Sequence, residues 1–164
     1  MSAGAEDLLV GTWRVLAVEH TADDGGVGRP FGDRPQGLIL YTPERYMSAI
    51  LMRPDRPPFA AGDVLGGTEA EKAAAFGSSS AFGGRWEIVG DEIVHHLEVT
   101  TFPNWVGTDQ PRRFDLTDTH LTLYPPPMLM EGRLRRARVH CERIVPPTSA
   151  AARPNVSGDQ PSGG

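Results

Sequence analysis

His95 and His96 sit side by side in Glu92 to Thr100, a stretch whose alternating character reads as a β-strand. Adjacent residues of a strand point to opposite faces, so one imidazole enters the interior and the other meets solvent. With Gly90-Asp91 as a two-residue turn, Trp86 pairs with His95 and Ile88 with Ile93. Trp86, Ile88, Ile93, His95, Leu97 and Val99 then share one face, and Arg85, Glu87, His96 and Glu98 share the other. The apolar set is the inner one. Two roles are open to His95. It is either a neutral buried ring bonded to a backbone carbonyl or to Trp86, or a catalytic group that orients a ligand carbonyl or exchanges a proton with it, since imidazole titrates near neutrality.

Other chemistries find little support. The five histidines show no ligand spacing of the His-Glu-x-x-His kind, and a single cysteine, Cys141, excludes an internal disulfide and a cysteine-rich zinc knot. No metal site is expected. Ser78, Ser79 and Ser80 lack the strand-to-helix elbow of a serine hydrolase. The paired glycines do not open a helix after a strand, so no phosphate-binding or dinucleotide loop is expected, and no cofactor is implied.

Composition narrows the partners. The 164 residues carry 16 basic and 21 acidic side chains, a net charge of −5, with Lys72 the single lysine. A phosphate-binding face usually shows as a net basic domain, so nucleic acid is not expected. No apolar run nears the ~20 residues of a membrane helix, and Met1 to Val10 lacks the pattern of a secretion signal. A cytoplasmic protein without membrane contact is expected. The alternating arginines 133, 135, 136 and 138 read as a charged strand surface.

The elements that must position these groups are short strands, because 19 glycines and 15 prolines punctuate the chain too often for a helical bundle. Eight strands are expected: 13–18, 37–41, 45–52, 81–88, 92–100, 112–117, 120–124 and 134–144. Thr68 and Glu71 form a capping box at the start of a helix, and a second short helix is expected near Ala5 to Val10. Residues 1–145 then form one domain, while 146–164, rich in Pro, Ser, Ala and Gly, read as a disordered tail.

Three connections between strands are tight and four are long, and they alternate along the chain. In an up-and-down antiparallel sheet this gathers the long loops at one rim. The expected fold is all-β, an eight-stranded up-and-down antiparallel barrel wide enough for packed side chains or one small ligand.

Gly11-Thr12-Trp13 resembles the Gly-x-Trp signature of lipocalins and related calycin barrels, and Arg143 resembles the arginine that packs across that tryptophan. The match is closer to the bacterial and fungal lipocalin-like domain proteins. It runs through Tyr41-Thr42-Pro43, Tyr46-Met47-Ser48, Met52 to Pro57, His95-His96, Phe102 to Thr108 and Arg112-Arg113-Phe114, and spans roughly Leu8 to Val145. The resemblance implies a calycin-type barrel taking a small, largely apolar molecule. Members occur in natural-product biosynthesis, where such barrels serve as cofactor-free cyclases, and the family supplies no established catalytic residue to transfer.

The expected lumen is greasy around one imidazole. Leu38, Leu40, Met47, Ala49 and Leu51 line it from the second and third strands if Tyr46 and Ser48 face out; a one-residue bulge would exchange the two sets. Arg112, Phe114, Leu116, Leu121 and Leu123 line it from the sixth and seventh strands, and Trp13, Val15 and Ala17 meet Ala137, Val139, Cys141 and Arg143. Arg53, Glu19, Arg112 and Arg135 are placed near the open rim, with Phe102, Trp105 and the Pro54 to Phe59 stretch as lids or plugs. Met128, Leu129 and Met130 read either as a flexible lid or as a contact in a homodimer. The expected ligand-binding set is Trp86, Met47, Leu51, Tyr46, Ser48, Leu97, Phe102, Trp105, Arg112 and Phe114, around catalytic His95. The function expected from it is binding of a hydrophobic, polyketide-type intermediate with cofactor-free cyclisation or isomerisation, or else non-catalytic carriage in the same cavity.

Overall fold

The Gly11 to Ala22 segment forms one long strand that hydrogen-bonds on both sides, and the sheet that starts from it returns to it. The computed structural model describes residues 4–146. Its strands are β1 (Gly11–Ala22), β2 (Val27–Gly28), β3 (Gln36–Tyr41), β4 (Tyr46–Met52), β5 (Ser79–Val89), β6 (Glu92–Thr100), β7 (Asp109–Leu116), β8 (His120–Tyr124), β9 (Met128–Met130) and β10 (Arg133–Arg143). β1, β3 to β8 and β10 follow one another round the sheet, and β10 pairs with β1 to close it. This is the expected eight-stranded antiparallel barrel. The short ribbons β2 and β9 pair with the far ends of β1 and β10 and extend the rim. Neither was expected, because two or three residues hold too little alternation to read. The stretch from 147 onward lies outside the described residues.

Two α-helices, with a single 3-10 turn at Pro103–Trp105, complete the fold among the described residues. In α2 (Glu69–Gly77) the Thr68 side chain accepts from the Glu71 backbone while the Glu71 carboxylate accepts from the Thr68 backbone, so the expected capping box is complete. The other, α1 (Ala5–Leu9), seals the barrel's tight-turn end with Leu9, which is wholly buried. Trp13 Nε1 donates to Leu9 O at 2.9 Å, and the Arg143 guanidinium lies 4.2 Å from the centre of the Trp13 ring. Arg143 also donates to Val10 O, Leu8 O and Asp118 O. One side chain thus ties the helix, the first strand and the β7–β8 turn into a closed base. Gly11 is required there: its φ is +144°, and a Cβ would stand 2.5 Å from Arg143 Nη1.

Three backbone irregularities change which side chains face inward. The β3–β4 connection turns through Pro43, Glu44 and Arg45, the last at φ 70°, and Thr42 N–H donates to Tyr46 O, so Tyr41 pairs with Met47 and Ile39 with Ala49. Ile39 and Tyr41 therefore point into the core, and Leu38 and Leu40, expected inside, face out. In β1 the register slips between Val15 and Ala17, which turns Val18 and His20 inward in place of Ala17 and Glu19. In β6 the register slips opposite Gly83 and Gly84, so Val99, expected inside, is 67% exposed. Glycine permits that slip, because a Cβ on Gly84 would sit 1.9 Å from His96 O.

Candidate ligand cavity

Above the sealed base the inner faces enclose a cavity of about 230 Å³. Ile39, Met47, Ala49, Leu51, Phe82, Leu123, Ala137 and Val139 form most of its wall, and Val18 and Ser80 complete the strand contribution. Phe31, Trp105, Pro125, Met128 and Met130 come from the long connections and the β9 ribbon at the rim. The two ionisable groups in the wall are His95 and Arg112, which are 1% and 4% exposed.

These two groups belong to one buried chain of hydrogen bonds. Arg112 Nε donates to His95 Nδ1 at 3.1 Å, and Arg112 Nη2 donates to Gln110 Oε1 at 3.0 Å. A guanidinium only donates, so Nδ1 must be the bare nitrogen of the ring. The ring proton then lies on Nε2 and is donated to Tyr41 Oη at 2.8 Å. Neither nitrogen is bonded to a backbone carbonyl or to Trp86, the partners expected from sequence. The Trp86 indole N–H is buried without an acceptor among the described residues. Burial, and then the charge of Arg112, hold the His95 imidazole well below its ordinary range, so it is neutral at physiological pH. Burial raises the Tyr41 phenol and lowers Arg112 to about 10, which leaves Arg112 a cation at neutral pH. Among the described residues no carboxylate pairs with Arg112, and its Nη1 has no acceptor. The Phe82 ring covers the guanidinium at 5.4 Å.

Of the ligand-binding set read from sequence, Met47, Leu51, Trp105 and Arg112 line this cavity together with His95. Tyr46 and Ser48 do not; they lie on the outer face of β4, Tyr46 being 46% exposed, because Met47 and Ala49 take the inner positions. Trp86 lies in the base beneath the cavity, edge to face with Tyr41 at 5.6 Å and capped by Arg45 at 4.8 Å. Leu97 is buried under the β6–β7 connection, where its backbone bonds to Gly107 and Thr108. Phe102 is 42% exposed and braces Trp105 from outside, with ring centres 5.5 Å apart. Phe114 packs on the core but borders a groove on the outer surface with Arg113 and Tyr124.

The rim also departs from expectation. Arg112 is deep in the barrel, opposite Ile93, and Glu19 lies on the outer face between Arg29 and Arg138. Arg53 pairs with Asp55 at the surface, and Pro57, Pro58 and Phe59 pack beside α2 instead of over the mouth. Met128 and Met130 line the cavity, whereas Leu129 points to solvent. His96 stands outside, bonded to Asp109 at 2.6 Å and Glu87 at 2.9 Å, which raise its pKa. Among the described residues no group of three or more His, Cys, Asp or Glu could hold a metal ion. Cys141 faces the core, and burial pushes its thiol up to about 12. Among the described residues no helix is long and apolar enough to cross a membrane.

The sequence reading missed Tyr41, Phe82 and Gln110. Phe82 was within reach, since it shares the phase of Gly84 and Trp86 along β5. Gln110 shares the phase of Arg112, but β7 begins three residues earlier than its apolar pattern.

A closed antiparallel barrel with an apolar interior opening at a loop-bearing rim belongs to the small-molecule-binding calycin class. The chain is a member of the lipocalin-like domain family, whose model matches residues 10–144. It is similar to the 4'-hydroxy-3'-methoxypropiophenone carrier protein ppsC of Aspergillus oryzae, with 34% identity over 74 residues, covering 40% of this chain and 67% of that protein. Among solved structures it is similar to a lipocalin-like protein from Bacteroides uniformis, at 16% identity and a TM-score of 0.45, covering 84% of this chain and 99% of that one.

Proposed function

We propose that the barrel is a carrier for a small, largely apolar molecule with one polar handle. The observation that carries this reading is the state of His95: both ring nitrogens are used inside the wall, so no lone pair is left to act as a general base on a ligand. At about 230 Å³ the cavity lies below the ~300–1,000 Å³ of sites for drug-sized ligands, which favours a single-ring compound over a long flexible chain. The relative named as a carrier of an aryl ketone supports the same size class.

The second reading is cofactor-free cyclisation or isomerisation of a natural-product intermediate of polyketide type. It is supported by Arg112, a fixed cation positioned to stabilise an enolate oxygen. Titration of the purified protein with 4'-hydroxy-3'-methoxypropiophenone, read by calorimetry and thermal shift, separates the two. Carriage predicts saturable one-to-one binding, a Tm that rises with ligand concentration, and ligand recovered unchanged. A product that accumulates only with protein would replace carriage by catalysis, and absence of any binding would overturn both.

A further inference from the structure

We infer that the polar handle of the ligand is an anionic oxygen, a phenolate, enolate or carboxylate, received by Arg112 at the inner end of the cavity; this rests on the binding reading above.

A buried guanidinium is ordinarily paired with a carboxylate, because taking the charge out of water is expensive. Here its neighbours are neutral: the bare nitrogen of His95, the amide oxygen of Gln110 and the face of Phe82. These contacts use Nε and Nη2 and fix the plane of the group, while Nη1 has no acceptor among the described residues and Arg112 lines the cavity. Nor can the wall relieve the charge by proton transfer. Neutral His95 is already bound to Arg112, and the Tyr41 phenol is held protonated by its burial. The interior is therefore a low-dielectric space with one fixed positive charge and no counter-ion among the described residues. A neutral apolar molecule would leave that charge unpaired. An aromatic or enolic molecule bearing an acidic hydroxyl would pair with it after releasing its proton to solvent, with its apolar body against Phe82, Met47 and Trp105.

The test uses 4-nitrophenol and 4-nitroanisole, which are close in size and differ in the ionisable oxygen. The yellow nitrophenolate reports its own ionisation in the bound state. With the wild-type protein, nitrophenolate is expected to bind about 10- to 100-fold tighter than nitroanisole, as a charge-assisted hydrogen bond supplies, and the apparent pKa of bound nitrophenol is expected to fall. Arg112→Gln is expected to erase the preference, and Arg112→Lys to keep part of it. If the wild-type protein binds both probes equally, or raises the pKa of nitrophenol as a merely greasy cavity would, the anionic handle is wrong and the cavity reading stands. If neither probe binds, both fall together. The wild-type measurements decide the question even if a variant fails to fold.

Discussion

Arg112 Nε points at His95 Nδ1 across 3.1 Å, joining β7 to β6 inside the barrel with a hydrogen bond that only a neutral imidazole of one tautomer can accept. That single contact sets the ring's proton on the Tyr41 side and aims the guanidinium.

His95→Ala should be costly to stability. The substitution leaves Arg112 Nε and Tyr41 Oη without their partner and opens a void in a packed layer. A loss of about 2–4 kcal/mol is expected, measured by urea denaturation. A chemical role for His95 would instead show as lost turnover with stability intact.

Sequence neighbours His95 and His96 should give opposite pH dependences. The folded-state pKa of His95 is lowered, so between that value and the ordinary ~6.5 the unfolded chain binds the extra proton. Its contribution is complete above ~6.5 and is lost as pH falls toward the folded value. His20 and His140, lowered mainly by burial, add to the same sign. His96 is raised by Asp109 and then Glu87, so its contribution is present below ~6.5 and is lost as pH rises through the raised value. Its exposure keeps that contribution small. Urea midpoints between about pH 5.5 and about 7.5 should rise with pH in the wild type, more gently in His95→Gln and more steeply in His96→Gln.

Arg143→Ala should unfasten the base. It removes donors from Leu8 O, Val10 O and Asp118 O and the cation from the face of Trp13. About 2–4 kcal/mol is expected to be lost. Arg143→Lys should recover only part, because an ammonium cannot serve three carbonyls from one plane. Equal stability of the Lys variant and the wild type in guanidinium chloride would refute the planar fork.

Trp105→Ala should speed ligand release. Trp105 meets Phe82 edge to face at 5.8 Å at the mouth, so its removal opens the exit while leaving Arg112 and His95 in place. About a tenfold rise in koff is expected in stopped-flow displacement, with a smaller effect for Phe102→Ala, which touches only the outer side of Trp105. Equal effects of the two would mean that the whole loop, and not the indole, holds the ligand.

The eight barrel strands, their closure order, the capping box and the Trp13 to Arg143 contact were legible because each follows from local pattern or chain order. The face of β3 was not. Directly paired residues share a face, so with Met47 and Ala49 inside their partners Tyr41 and Ile39 must be inside too, which the alternation of β3 by itself does not show, and Leu38 and Leu40 face out. The slips opposite Gly84 and after Val15 turned Val99 outward and His20 inward. Alternation and hairpin register placed His95 and Arg112 in the lumen, and Met47 and Leu51 with them if Tyr46 and Ser48 face out, whereas the hydrogen-bonded sequence Gln110, Arg112, His95, Tyr41 joins side chains from three strands, β7, β6 and β3.

The pairing of Trp13 with Arg143 means that the polypeptide enters and leaves the barrel at the same pole, the one sealed by α1. A fluorophore attached at exposed Val145, two residues past Arg143, would thus report from the end of the barrel away from the entrance, and ligand exchange could be followed without obstructing it.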